Sequence, residues 1–496
     1  MHSSIEALES RIAPASIALG TGTTNAGNTT LDMVDTLSAT LNDIAGSGKL
    51  VVTGTVTING ATLDLDVSQK PADSTDFTLI DNDDVDLVTG TFAGLPEGAI
   101  FKADGTYFQI SYIGNDGNDV TLKALVPKVT ITGGGKIARF VDVDGDLVTV
   151  KTNRGTFTEE DFALVPTGGL DGEAQLTGLT LDSGFANATI SITAKRDLNG
   201  GNGFVNVGFI HADGVNLGVI GLKGDLGGIS SGDGTGVGLK SLTVQSFGRL
   251  GTSTQEAGGT LGLTVLGRVT TLTVKSDVVD ADFSASGFTT FRVQGSFRSG
   301  SIASGTDIVT LSITNDLVGT EADPVEISAF GHPIAPPRGV DLAIKTLSVG
   351  GNVEWANIVL GESAAGDNAD ASISTVKVRG DWIASNLRVG TLVGMDGLPG
   401  TGDDKPGDRP GLTARDNAKI VAQIGNLIIS GQVIGTFDDP NDQFGIVTSW
   451  LRRATIGGER LPLDSQPLSG DFFPIAPTFP GAGGRVSDLA IVEVLP

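Results

Sequence analysis

The sequence predicts an all-β fold, a right-handed parallel β-solenoid with rungs of about 20 residues and inserted loops. Three observations predict it. Glycine supplies 72 of 496 residues, about twice its usual ~7% share, with no collagen period. Val, Ile, Leu and Thr fill the intervals, which reads as short strands broken by turns. A short pattern also recurs along the chain: apolar, any, apolar, any, small, polar, apolar.

The recurrence defines the body of the chain, residues 127–496. Its first two apolar positions are Leu272/Val274, Phe291/Val293, Leu311/Ile313, Leu347/Val349, Val376/Val378 and Leu427/Ile429. Two-residue spacing puts both on one face of a strand. The small position is Ser276, Gly295, Asn315, Gly351, Gly380 or Gly431, where a bend suits a small residue. The next apolar residue, Val278, Phe297, Leu317, Val353, Trp382 or Val433, points back inward. Phe283, Ile302, Ile358 and Leu387 follow at a fixed offset as a second inward strand. Divergent copies fall at Leu242, Ala454 and Leu489. Leu272, Phe291 and Leu311 follow at intervals of 19 and 20 residues. That is enough for three short strands and far too little for a sandwich domain or a propeller blade. One such rung cannot bury its own apolar face, but a stack can. Longer intervals imply inserts at 321–324, 333–339 and 396–411. The segment 486–494 restarts the pattern at the end, either to close the column or to offer a strand to another subunit.

Two parts precede the body. Residues 1–46 read as a polar leader. Residues 47–126 read as a strand-rich module, with alternating apolar residues on both sides of Asn59-Gly60. That dipeptide signals a hairpin, or a solenoid corner using the same two residues.

Charge narrows the partners. There are 58 acidic and 32 basic residues, a net of −26, which repels phosphate backbones and argues against nucleic acid. With no cysteine, a disulfide framework is excluded. No apolar stretch approaches the ~18 residues of a membrane span, and the N-terminus has neither a basic start nor an apolar signal core.

The segments 89–100, 108–112 and 114–122 (the last Gly-Asn-Asp-Gly-Asn-Asp-Val-Thr-Leu) resemble the stretch that closes autotransporter-associated β-strand repeats in bacterial surface proteins. Ala7-Leu-Glu-Ser-Arg-Ile-Ala-Pro14 resembles the Leu-Glu-x-Arg motif of exported proteins of Planctomycetes and Verrucomicrobia. The stretches 205–209, 224–227 and 380–386 are similar to repeat regions of those proteins. The resemblance implies export, an extracellular or cell-surface setting and a β-solenoid. It supplies no catalytic residues.

Candidate sites are few. Asp142, Asp144 and Asp146 lie on one Gly-containing loop, and hard cations such as calcium take several carboxylate oxygens from such loops. The spacing does not fit an EF-hand, and an Asp144-Gly145 turn explains the same residues. Asp116, Asn118 and Asp119 form one copy of a Gly/Asp loop that calcium-binding β-rolls need in tandem. Asp396, Asp403, Asp404 and Asp408, and the run 81–86, read as solvated acidic loops.

Between the inward residues lie Thr273, Lys275, Arg292, Gln294, Ser312, Thr314, Lys377 and Arg379. Stacked rungs would align Lys275, Arg292, Lys377 and Arg379 into a stripe without carboxylates, able to dock an acidic surface glycan or a like subunit. A polar solvated sheet face accounts for the same residues.

The histidines are His2, His211 and His332. There is no Cys nucleophile, no Gly-x-Ser-x-Gly elbow and no phosphate loop. The expectation is a non-catalytic structural or adhesive protein. The competing reading is a carbohydrate-binding or polysaccharide-lyase-like β-helix acting on acidic glycans.

Overall fold

The computed structural model describes residues 16–42, 46–83, 85–168, 172–196, 201–332, 340–363, 366–407, 420–436, 442–475 and 488–495. The motif at 7–14, His2, the insert 333–339, Asp408 and residues 486–487 lie outside them. The chain is all-β, with 3% helix and 57% strand. It divides into two compact units, one of Met1–Lys128, Phe140–Gly145 and Leu164–Gln175, the other of Val129–Arg139, Asp146–Ala163 and Leu176–Pro496.

In the first unit every third strand pairs in parallel. Thr36–Leu41 lies between Ser16–Ala18 and Thr62–Val67. Lys49–Val52 lies between Thr23–Ala26 and Asp76–Asn82, and Val56–Asn59 between Thr29–Leu31 and Thr89–Thr91. Asp76–Asn82 then continues into an antiparallel series with Asp119–Leu125, Thr106–Gly114 and Ile100–Ala103.

Asn59-Gly60 is therefore a corner and not a hairpin turn. Gly60 adopts φ +79°, and the strands on its two sides pair with different partners. The ladders also run across the boundary read at residue 46, since Leu37 pairs with Leu63 and Thr24 with Leu50. The segment 16–41 looks polar because Ser, Thr and Asn dominate it. Its leucines nonetheless alternate, so that Leu37, Ala39 and Leu41 are buried.

The second unit is dominated by parallel ladders. One aligns Ile190, Ile220, Leu242, Leu272, Phe291, Leu311, Leu347, Val376, Leu427 and Ala454. No member of this column is more than 1% exposed. A second aligns Phe247, Val278, Phe297, Leu317, Val353, Trp382 and Val433. A third runs from Leu179 and Ile210 through Leu263, Phe283, Ile302, Ile327, Ile358, Leu387 and Ile446 to Ile491.

All three ladders face one interior. Phe283, Phe291 and Phe297, one from each, meet with ring centroids 4.9, 5.9 and 6.5 Å apart. The expected divergent copies at Leu242 and Ala454 are in register. Leu489 is not: Leu489–Glu493 belongs to the third ladder, beside Phe444–Thr448, and its other edge is closed by antiparallel pairing with Phe472–Ile475.

The small position of the pattern has a different cause from the one expected. A bend falls there, but Gly295, Gly351, Gly380 and Gly431 have no left-handed φ. Their size is set by the neighbouring rung. Asp277 Oδ1 accepts the Ser296 N–H at 2.8 Å, and Ser296 Oγ accepts the Asp316 N–H at 3.4 Å. Asp316 Oδ1 accepts the Asn352 N–H, Asn352 Oδ1 the Asp381 N–H and Asp381 Oδ1 the Gln432 N–H, at 2.9, 2.9 and 2.7 Å. The polar position is thus a side-chain ladder climbing six rungs and satisfying corner N–H groups that the strands leave unpaired. A Cβ on Gly351 would stand 2.1 Å from Asp316 Oδ1, and one on Gly431 2.1 Å from Asp381 Oδ1. Where the acceptor is the shorter Ser296, the next small residue is Asn315.

Candidate functional site

The outward face of the first ladder is where the predicted basic stripe lies. Ser241, Thr271, Thr290, Thr310, Thr346, Thr375 and Asn426 align in one column. Thr243, Thr273, Arg292, Ser312, Ser348, Lys377 and Ile428 align in the next. Lys275 and Arg379 stand in a third column at the strand ends, where their N–H groups donate to Val244 O and Val349 O at 3.0 and 3.1 Å.

All four cations are exposed, and no carboxylate enters these columns. The stripe is not continuous, however. Ser312 and Ser348 separate Arg292 from Lys377, three ladder steps or about 14 Å. The face is a hydroxyl array carrying spaced positive charges.

Asp142, Asp144 and Asp146 do come together within one five-residue turn. One carboxylate oxygen from each lies within 4.8 Å of the others, with Asp142 and Asp146 buried and Asp144 half-buried. Gly145 adopts φ +88°, and its N–H donates to Asp142 O at 3.2 Å. Asp146 Oδ2 accepts the Gly203 N–H at 2.5 Å, so this carboxylate already holds a distant strand entry.

Among the other acidic segments, Asp81 pairs with Lys49 at 2.6 Å. Asp119 accepts the Asn82 N–H and the Asn115 side-chain amide. Asp403 accepts from Met395 N–H and the Thr401 hydroxyl, and Asp404 from Gly400 and Gly394 N–H groups. The Thr401 hydroxyl draws Asp403 below the usual carboxylate range, whereas burial pushes Asp404 up to about 6. Asp488 is also pushed up to about 6, by burial and then by Asp442 across the Thr436 hydroxyl. Thr436 Oγ lies 2.5 Å from Asp442 Oδ2 and 2.8 Å from Asp488 Oδ2. One hydroxyl proton cannot serve both, so the cluster favours a proton on one carboxyl.

His332 pairs through Nδ1 with the fully buried Asp341 at 2.7 Å. That carboxylate also accepts the His332 N–H and the Asn368 amide, both at 2.9 Å. These contacts hold His332 against Asp341, which Asn368 also holds.

Sequence reasoning missed a cleft of about 550 Å³ around Phe209 and His211. Its walls include Thr177, Gly178, Thr180 and the segment 255–260. The one legible signal was a phenylalanine and a histidine two residues apart, in a chain that is only 5% aromatic. Among the described residues no helix is long and apolar enough to cross a membrane. No known protein family, no curated protein and no solved structure matches the chain.

Proposed function

We propose that the second unit is a right-handed parallel β-solenoid, and that the chain is a non-catalytic structural or adhesive module of the cell exterior. In this reading it docks an acidic surface glycan through the outward face of the first ladder. The carrying observation is the register of that face, which stacks Thr271, Thr290, Thr310, Thr346 and Thr375 beside Arg292 and Lys377 with no carboxylate between them. A net charge of −26 repels a polyanion from most of the surface, so a carboxylate-free face with four cations is where one can approach. The right hand follows the strong preference of parallel crossover connections. The extracellular setting rests on the resemblance of 7–14 and 89–122 to exported bacterial repeat proteins.

Retention on immobilised polygalacturonate, measured against ionic strength, tests the docking role. Wild-type protein is expected to bind at low salt and to be released as salt screens the charges. The Arg292→Glu/Lys377→Glu double variant is expected to pass through. Equal retention of the two proteins would overturn the reading. Sedimentation of the same pair shows whether a second copy of the chain takes the face instead.

A further inference from the structure

We infer that the cleft around Phe209 and His211 binds an uncharged saccharide, with a sugar ring packed against the stacked Phe209–His211 pair. The site is separate from the hydroxyl face and does not depend on the glycan-docking role proposed for it.

The cleft is built by omitting side chains. Phe209 pairs with Gly178 on one neighbouring strand and with Gly228 on the other. Neither cross-strand partner therefore puts a side chain beside the phenyl ring, which covers the space where a Cβ on Gly228 would stand, 2.4 Å from the ring. His211, two residues along the same face, stacks on Phe209 with centroids 4.4 Å apart and planes at 27°. His211 is exposed and Phe209 half-buried, so the stacked pair borders the cleft and reaches solvent at its imidazole end.

The facing wall is the turn from Gln255 to Thr260. It is closed by the Gln255 side-chain amide donating to Thr260 O at 2.9 Å and by the Gly259 N–H donating to Glu256 O at 3.0 Å. The Gln255 amide lies over Gly227, where a Cβ would stand 2.4 Å from Nε2. The turn leaves the Glu256 side chain exposed at the rim, with Thr180 on the strand side.

This combination fits a sugar better than the other flat ligands that rings attract. The axial C–H face of a pyranose is apolar and packs on an aromatic face, while its equatorial hydroxyls need acceptors and donors at the edge. Glu256, His211 and Thr180 supply both. A nucleotide would stack on the same ring, but its phosphates would meet Glu256 and the field of a chain carrying net −26. An acidic sugar meets the same repulsion. The volume lies within the range of small-molecule sites. Among the lining residues Glu256 is the one carboxylate, whereas glycosidic cleavage usually takes two. The role inferred is binding.

The test is calorimetric titration of the full chain with neutral gluco-, manno- and xylo-oligosaccharides, alongside oligogalacturonate and ATP. At least one neutral oligosaccharide is expected to bind. Phe209→Ala is expected to weaken it about tenfold, and Glu256→Gln several-fold. Glu256 is on the rim, so its variant should melt with wild type, which separates loss of ligand from loss of fold. No binding by any neutral oligosaccharide at millimolar concentration would overturn the inference. So would binding that survives both substitutions, or a preference for ATP or oligogalacturonate.

Discussion

The carboxylate of Asp316 accepts the main-chain N–H of Asn352 at 2.9 Å, and it stands 2.1 Å from where a Cβ on Gly351 would be. The acceptor on one rung and the missing side chain on the next are two halves of one contact.

The two halves should be energetically coupled. Gly351→Ala is expected to destabilise by about 1–3 kcal/mol through overpacking. Asp316→Ser, which copies the shorter Ser296, is expected to cost about 1 kcal/mol. The double variant should lose less than both together, because the serine vacates the space the new methyl needs. Urea unfolding of the four proteins reads the coupling, and strict additivity would refute the steric account.

Inward and outward positions should differ sharply. Trp382 is fully buried, and its indole Nε1 donates to Ser385 O at 2.9 Å. Trp382→Ala is expected to cost about 3–5 kcal/mol. Thr346→Ser, on the outward column, is expected to stay within about 0.5 kcal/mol. Thermal unfolding by circular dichroism compares them.

Acidification is expected to stabilise the fold over a definite window. Asp404 and Asp488 are each pushed up to about 6, above the unfolded value of about 3.9. The native state therefore binds protons that the unfolded chain has released. Their contribution is fully present below about pH 4 and is lost as pH rises through about 6. Asp403, which is lowered, acts in the opposite sense, and only at lower pH. The melting temperature should fall between pH 5 and pH 7.5. In Asp488→Asn that fall should be smaller, and an unchanged slope would exclude this carboxyl as its source.

Calcium is expected to raise the melting temperature if the turn at Asp142, Asp144 and Asp146 takes a hard cation, because a ligand held only by the native state stabilises it. Asp144→Asn removes one of the converging carboxylates while leaving the Asp146 bond to Gly203 in place. The increment should vanish in that variant. No increment in wild type leaves the three aspartates as a turn.

The repeat was legible because its period is carried by side chains that face inward. Leu272, Phe291, Leu311, Leu347 and Val376 hold one register despite inserts of different length. Such inserts change the interval between rungs and leave the pattern within each rung intact. Leu489 was assigned to the wrong ladder because apolar alternation is the same on all three. Strands 16–41 escaped notice because threonine and serine alternate there with only a few leucines. The cause of the small position could not be read from one rung, since Gly351 is explained by Asp316, 35 residues earlier. The cleft at Phe209 was hidden for the same reason: its emptiness is made by glycines on two neighbouring strands.

Because each corner is matched to the one before it, the rungs carry a grammar for lengthening the protein. A copied segment that begins with Val353 and ends with Asp381 can follow itself, since the second Gly380 would meet the first Asp381 one rung on, as Gly431 does now. A segment led by Asn315 can follow Ser296 but not Asp381, whose carboxylate would occupy the asparagine's Cβ. Growth by duplication is therefore open at some joints and closed at others, and designed extensions should be cut at the same places.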